Sequence, residues 1–137
     1  MIKFGTTEIK EYSLFLILLL LIDSIYLFGL KDTHNKVIQK IQNSPLEVNL
    51  KYGSLFYLLA PFAYLYIIKP LSLSSKDKDV FSVAKYGAFL GLLMYGTFDI
   101  TNLALFKDYP SWYALMDTVW GMTAMMITSV LVFKMTN

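Results

Sequence analysis

Four stretches of this chain, residues 12–30, 52–68, 86–106 and 112–133, are each long and apolar enough to cross a bilayer. A spanning helix needs about 20 mostly apolar residues, with a range of roughly 17–25. The chain is therefore expected to be all-α: a polytopic membrane protein with four transmembrane helices in an antiparallel bundle, forming a single membrane domain over residues 1–137. Tyr12, Tyr52, Tyr86, Tyr109 and Trp112 stand at the edges of the stretches, as residues of an interfacial belt do. A soluble bundle would need a polar outer face on each helix, and residues 52–68 carry no charge on any face.

The connections carry most of the charge. Residues 33–42 read as an interfacial helix started by Thr33, with Val37, Ile38 and Ile41 on one side and Lys36 and Lys40 on the other, ended before Pro45. The second connection holds Pro70 and the solvated run Lys76, Asp77, Lys78, Asp79. The third, Lys107-Asp108-Tyr109-Pro110, reads as a tight turn. Lys3 and Lys10 before the first stretch imitate a signal peptide. The apolar run continues to Leu30 without a small-x-small site, so a retained span is expected. Seven lysines fall on the side of the termini and five on the other. That excess expects both termini on the cytoplasmic, matrix or stromal face.

Three aspartates, Asp23, Asp99 and Asp117, lie inside the spans, and no lysine lies there with them. A carboxyl group in hydrocarbon is expensive, so it reads as a functional or pairing site. At a rise of about 1.5 Å per residue, Asp23 and Asp99 sit roughly 10 Å, and Asp117 about 8 Å, from the span ends that face the first and third connections. All three are thus expected at one depth, which Tyr57 also reaches. Tyr95, Asp99 and Asn102 follow an i, i+4, i+7 stripe, and Asp117 shares a face with Trp120 and Gly121. Asp23, Tyr57, Tyr95, Asp99, Asn102, Asp117 and Trp120 are accordingly the expected ligand- or proton-binding residues, lining one pocket. Without a counter-charge the three acids are not expected to be ionised together, and a protonated one can donate a hydrogen bond.

Other features point to packing. Gly87 and Gly91 form a GxxxG pair, and Ala114, Thr118 and Gly121 bring small groups to the last helix. Met122, Met125 and Met126 read as core, and His34 as a solvated residue of a polar connection. No metal site or cofactor is implied: cysteine is absent, and the chain holds no G-x-S-x-G, HExxH or phosphate-binding glycine loop. All twelve basic residues are lysines and the net charge is +2, which argues against nucleic acid as a partner. The expected partners are the bilayer and either further membrane subunits or copies of this chain.

The stretch Tyr95-Gly96-Thr97-Phe98-Asp99-Ile100-Thr101-Asn102, followed by Asp117-Thr118-Val119-Trp120-Gly121, resembles the small integral membrane proteins grouped as domain of unknown function 2177. Those proteins carry a Tyr-Gly-Thr-Tyr-Asp-Leu-Thr-Asn-like stretch and an Asp-x-x-Trp-Gly motif, and Asp23 matches an acid in their first span. Phe98 departs from the usual Tyr, and no tryptophan follows Asp23 in the first span. The resemblance implies a four-helix membrane protein and supplies no activity.

Three functions fit these residues. The favoured one is an acidic intramembrane pocket that binds or moves a proton, a cation or a basic small solute. An accessory subunit of a larger membrane complex would instead pair its acids with basic residues of partner helices. A membrane-embedded lipid- or isoprenoid-modifying enzyme would use the paired carboxyls beside Trp120 and Tyr95 to protonate an alkene.

Overall fold

A computed structural model describes residues 4–75 and 79–137; Lys3 and the Lys76, Asp77 and Lys78 of the charged run lie outside the described residues. The protein is all-helical, without strands among the described residues. Helices α1 (Thr6–Gly29), α3 (Leu50–Ser74), α4 (Val80–Leu105) and α5 (Ser111–Thr136) are long and apolar enough to span a membrane, and the short α2 (Lys31–Gln42) follows α1.

Each end has a local cause. The Glu8 carboxylate accepts the Gly5 N–H at 3.0 Å, so the first turn of α1 is closed from within. Asp79 caps α4 by accepting the Ser82 N–H at 2.9 Å. Within α3, Pro70 has no N–H for the Tyr66 carbonyl, and its ring crowds that oxygen. The turn just before it, Tyr64–Ile68, widens to π geometry, with the Lys69 N–H reaching back to Tyr64. Helix α2 starts at Lys31, directly after Leu30, so Thr33 lies inside the helix and does not cap it. It ends on Asn43 in the left-handed region (φ 57°), a conformation asparagine tolerates.

Packing is inside out relative to a soluble protein. Ile25, Phe28, Phe81, Ile100 and Leu105 face outward, whereas Glu11, Asp23 and Asp99 are buried. An apolar exterior is what helices in lipid present. The main core joins Phe15, Leu19, Tyr64, Ile68, Val83, Ala124 and Met125. Helices α4 and α5 share the most extensive contact in the bundle, and glycines let their backbones meet. A Cβ on Gly91 would sit 2.5 Å from the Gly121 carbonyl oxygen, and one on Gly87 3.1 Å from that of Met125. The GxxxG face is therefore spent within the chain, where small residues let backbones meet in lipid.

Candidate functional site

The aspartates are held by neutral donors. Asp23, on α1, accepts the Trp120 indole N–H at Oδ1 (2.7 Å) and the Tyr57 hydroxyl at Oδ2 (2.9 Å), so three helices meet on one carboxyl group. Asp99, on α4, accepts Tyr109 at Oδ1 (2.7 Å) and Thr118 at Oδ2 (2.8 Å). Asp117, on α5, accepts Tyr26 at Oδ1 (2.9 Å). Its Oδ2 makes no hydrogen bond among the described residues, and the residue is partly exposed. Asp99 is 1% exposed and Asp23 6%.

Aromatic rings join these bonds into one cluster. Tyr26, one turn beyond Asp23, stacks on Trp120 with centroids 4.7 Å apart and planes at 6°. The donor to Asp117 therefore lies flat on the donor to Asp23. The His34 ring meets Tyr26 edge-on at 4.9 Å, and its Nδ1 lies 2.7 Å from the Tyr113 hydroxyl. Tyr113 meets Tyr109, the donor to Asp99, at 5.6 Å.

Of the residues expected from the sequence, Asp23, Tyr57, Asp99, Asp117 and Trp120 take part in these bonds. Among the described residues, Tyr95 and Asn102 contribute no side-chain hydrogen bond to an aspartate. The Tyr95 ring fills the space where a Cβ on Gly121 would fall and meets Phe56 edge-on at 6.0 Å. Asn102 lies beside Tyr109 without completing a bond to it, and its backbone carbonyl accepts the Phe106 N–H. Phe98 is 58% exposed, so a tyrosine hydroxyl there would point away from the aspartates. One surface cleft lies between the start of α1 and the end of α3, and another at the α1–α2 junction. Neither is lined by an aspartate of the cluster.

The largest correction concerns His34, which is buried rather than solvated, at 5% exposure. One face of α2 places His34 and Val37 toward the bundle, where Val37 packs with Tyr109, Tyr113 and Ala114. A period of three to four from Val37 back to His34 is the sequence signal for this face. Burial pushes the imidazole below its ordinary 6.5, with the Tyr26 backbone carbonyl opposing. That carbonyl accepts the Leu30 N–H, and it makes no hydrogen bond to Nε2, which is buried without a partner. Tyr109 likewise is more than turn chemistry: burial, then its bond to Asp99, pushes its hydroxyl up, so it remains a donor.

The other end of the bundle holds an ion pair that the sequence does not single out. Glu11, fully buried on α1, receives Lys69 Nζ on both oxygens at 2.8 and 2.7 Å. Thr136 adds a long contact at 3.4 Å. Both partners fall just outside the apolar stretches, which is why they read as flanking charges. Among the described residues no group of three or more acidic or histidine side chains converges as metal ligands would.

A family model described as a predicted membrane protein (DUF2177) matches residues 8–134. The chain matches no curated protein and no solved structure.

Proposed function

Since this chain belongs to the DUF2177 family of predicted membrane proteins, its polar interior acts within a bilayer, and we propose that it binds and exchanges a proton, or a small cation in its place, at Asp117. The observation that carries this reading is the inequality among the aspartates. Asp23 and Asp99 spend both oxygens on protein donors, whereas Asp117 spends one and keeps Oδ2 free on a partly exposed side chain. A carboxyl with both oxygens filled works as a strut between helices; one with a free oxygen has room for a proton or an ion.

The neighbours suit that role. Tyr26 can donate to the ionised carboxyl or accept from the protonated one by turning its hydroxyl, so both states keep a bond. Donors for all three acids come from within the chain, which weakens the motive for reading them as waiting on basic residues of a partner subunit. In this reading Asp117 faces the side opposite both termini, and the lysine excess favours the termini as cytoplasmic.

The test is infrared difference spectroscopy of the reconstituted protein across a pH titration. The protonated carboxyl band that responds to pH should vanish in Asp117→Asn and persist in Asp23→Asn. A response that survives Asp117→Asn places the exchanging group elsewhere and removes the reading. Proteoliposomes loaded with a pH dye then separate binding from transport.

A further inference from the structure

His34 Nε2 is a buried polar atom with no hydrogen-bond partner among the described residues, on α2, a helix too short to span a membrane. An orphaned group of this kind needs an explanation. His34 closes over the aspartate cluster, its ring edge on Tyr26, which holds Asp117, and its Nδ1 on Tyr113. We propose that α2 is a cap over the Asp117–Tyr26 end of the cluster and that His34 is the latch that opens it when the imidazole takes up a proton. This inference rests on the reading of Asp117 as the exchange site and names how access to it is regulated.

The chemistry follows from counting donors. In the neutral ring one nitrogen donates and the other accepts, and Tyr113 suits either tautomer at Nδ1. In the imidazolium both nitrogens donate. Tyr113 can accept one N–H. The Tyr26 backbone carbonyl, the other acceptor near the ring, makes no hydrogen bond to Nε2, so the second donor is unmet in the docked geometry. A cation with an unmet donor is unfavourable where it is buried and favourable in water, so protonation draws α2 away from the bundle.

The surroundings allow that movement. From α1 the ring meets Tyr26, and from α5 Tyr113; Tyr109, in the turn after α4, lies behind Tyr113. Asp117 and Asp99 stand one residue further back, behind Tyr26 and Tyr109. On α2 itself Lys31, Asp32 and Lys36 line the outer side or its margin. Val37 and Ile41 supply the remaining apolar hold, a small patch compared with the spans. At the junction with α1 the helix borders a cleft of about 410 Å³. Because the ring titrates below 6.5 when docked, closure is undiminished above about that pH and weakens as the pH falls through it.

The chain has no cysteine, so a single introduced thiol reports on the cap. Val37→Cys in the full chain in nanodiscs should resist a neutral maleimide at pH 8 and react at pH 5. Rates are normalised to the exposed Lys40→Cys to remove the intrinsic pH dependence of the thiol. One coupled proton changes the open fraction by at most about tenfold per pH unit. Adding His34→Gln should abolish the pH response. Normalised labelling that is flat or falls with acid overturns the latch, and the test holds in the chain that keeps His34 even if the glutamine variant misfolds. Adding Asp117→Asn should leave the response in place. A response lost there belongs to Asp117 and also overturns the latch, whereas failure of Asp117 as the exchange site appears separately, in its carboxyl band.

Discussion

The two ends of the bundle solve the same problem differently. Near the first and third connections, three carboxyl groups rest on tyrosine, tryptophan and threonine donors with no cation among them. Near the termini, one glutamate rests on a lysine. In a low-dielectric interior, removing either partner of an ion pair leaves the other charge uncompensated, so Glu11 and Lys69, 2.7 Å apart, depend on each other. Asp117, held on one oxygen by the Tyr26 hydroxyl, keeps that bond whether or not it carries a proton. Under the proposed reading, the Glu11–Lys69 end anchors the bundle and Asp117 alone exchanges a proton.

The sharpest way to break this contrast is to remove the cation. Lys69→Met leaves Glu11 buried and unpaired, and should destabilise the protein by about 3 kcal/mol, at the low end for buried pairs because Lys69 is 20% exposed. Glu11→Gln should do less, since the lysine left behind can stretch to the interface. Unfolding in mixed micelles measures both, and equal losses would show that the pair is not asymmetric. The seam between the two ends comes next. Gly91→Ala drives a methyl against the Gly121 backbone and should lose about 1–3 kcal/mol in the same assay. An unchanged midpoint would mean that α4 and α5 slide apart at little cost.

At the aspartate end single losses should be smaller. Trp120→Phe removes one donor from Asp23 and alters the stack on Tyr26, for about 1–2 kcal/mol. A loss as large as that of Lys69→Met would erase the distinction between the ends. Smallest of all, Asp117→Asn should change stability by less than about 1 kcal/mol, since Asn still accepts from Tyr26, while eliminating the pH-responsive carboxyl band. A large loss of stability would make Asp117 a strut like its neighbours.

Much of this arrangement is legible in the order of the residues. The helices Thr6–Gly29, Leu50–Ser74, Val80–Leu105 and Ser111–Thr136 cover the four apolar stretches to within one residue and extend beyond them at one end or both. Amphipathic ends with Glu11, Lys69 and Thr136 continue the helix without adding hydropathy, which hides the ion pair. Asp23, Asp99 and Asp117 stand out because a carboxyl within an apolar run has few bland explanations. Their donors do not. Tyr26, Tyr109 and Tyr113 are ordinary residues of a belt-rich sequence, and Tyr109 sits in a turn. Which tyrosine reaches which acid depends on helix rotation, to which hydropathy is blind.

Length and apolarity alone set the class of protein, because a chain in lipid has so few backbone solutions, and they mark which groups are costly to bury. How each such group is satisfied is a property of the folded bundle: Glu11 with Lys69, Asp23 and Asp99 with two donors apiece, Asp117 with one, and His34 with a nitrogen left over. The physical reason is range. Hydropathy and helical period act over one or two turns, whereas these bonds join residues up to 97 positions apart and exist only once α1, α3, α4 and α5 have rotated against one another.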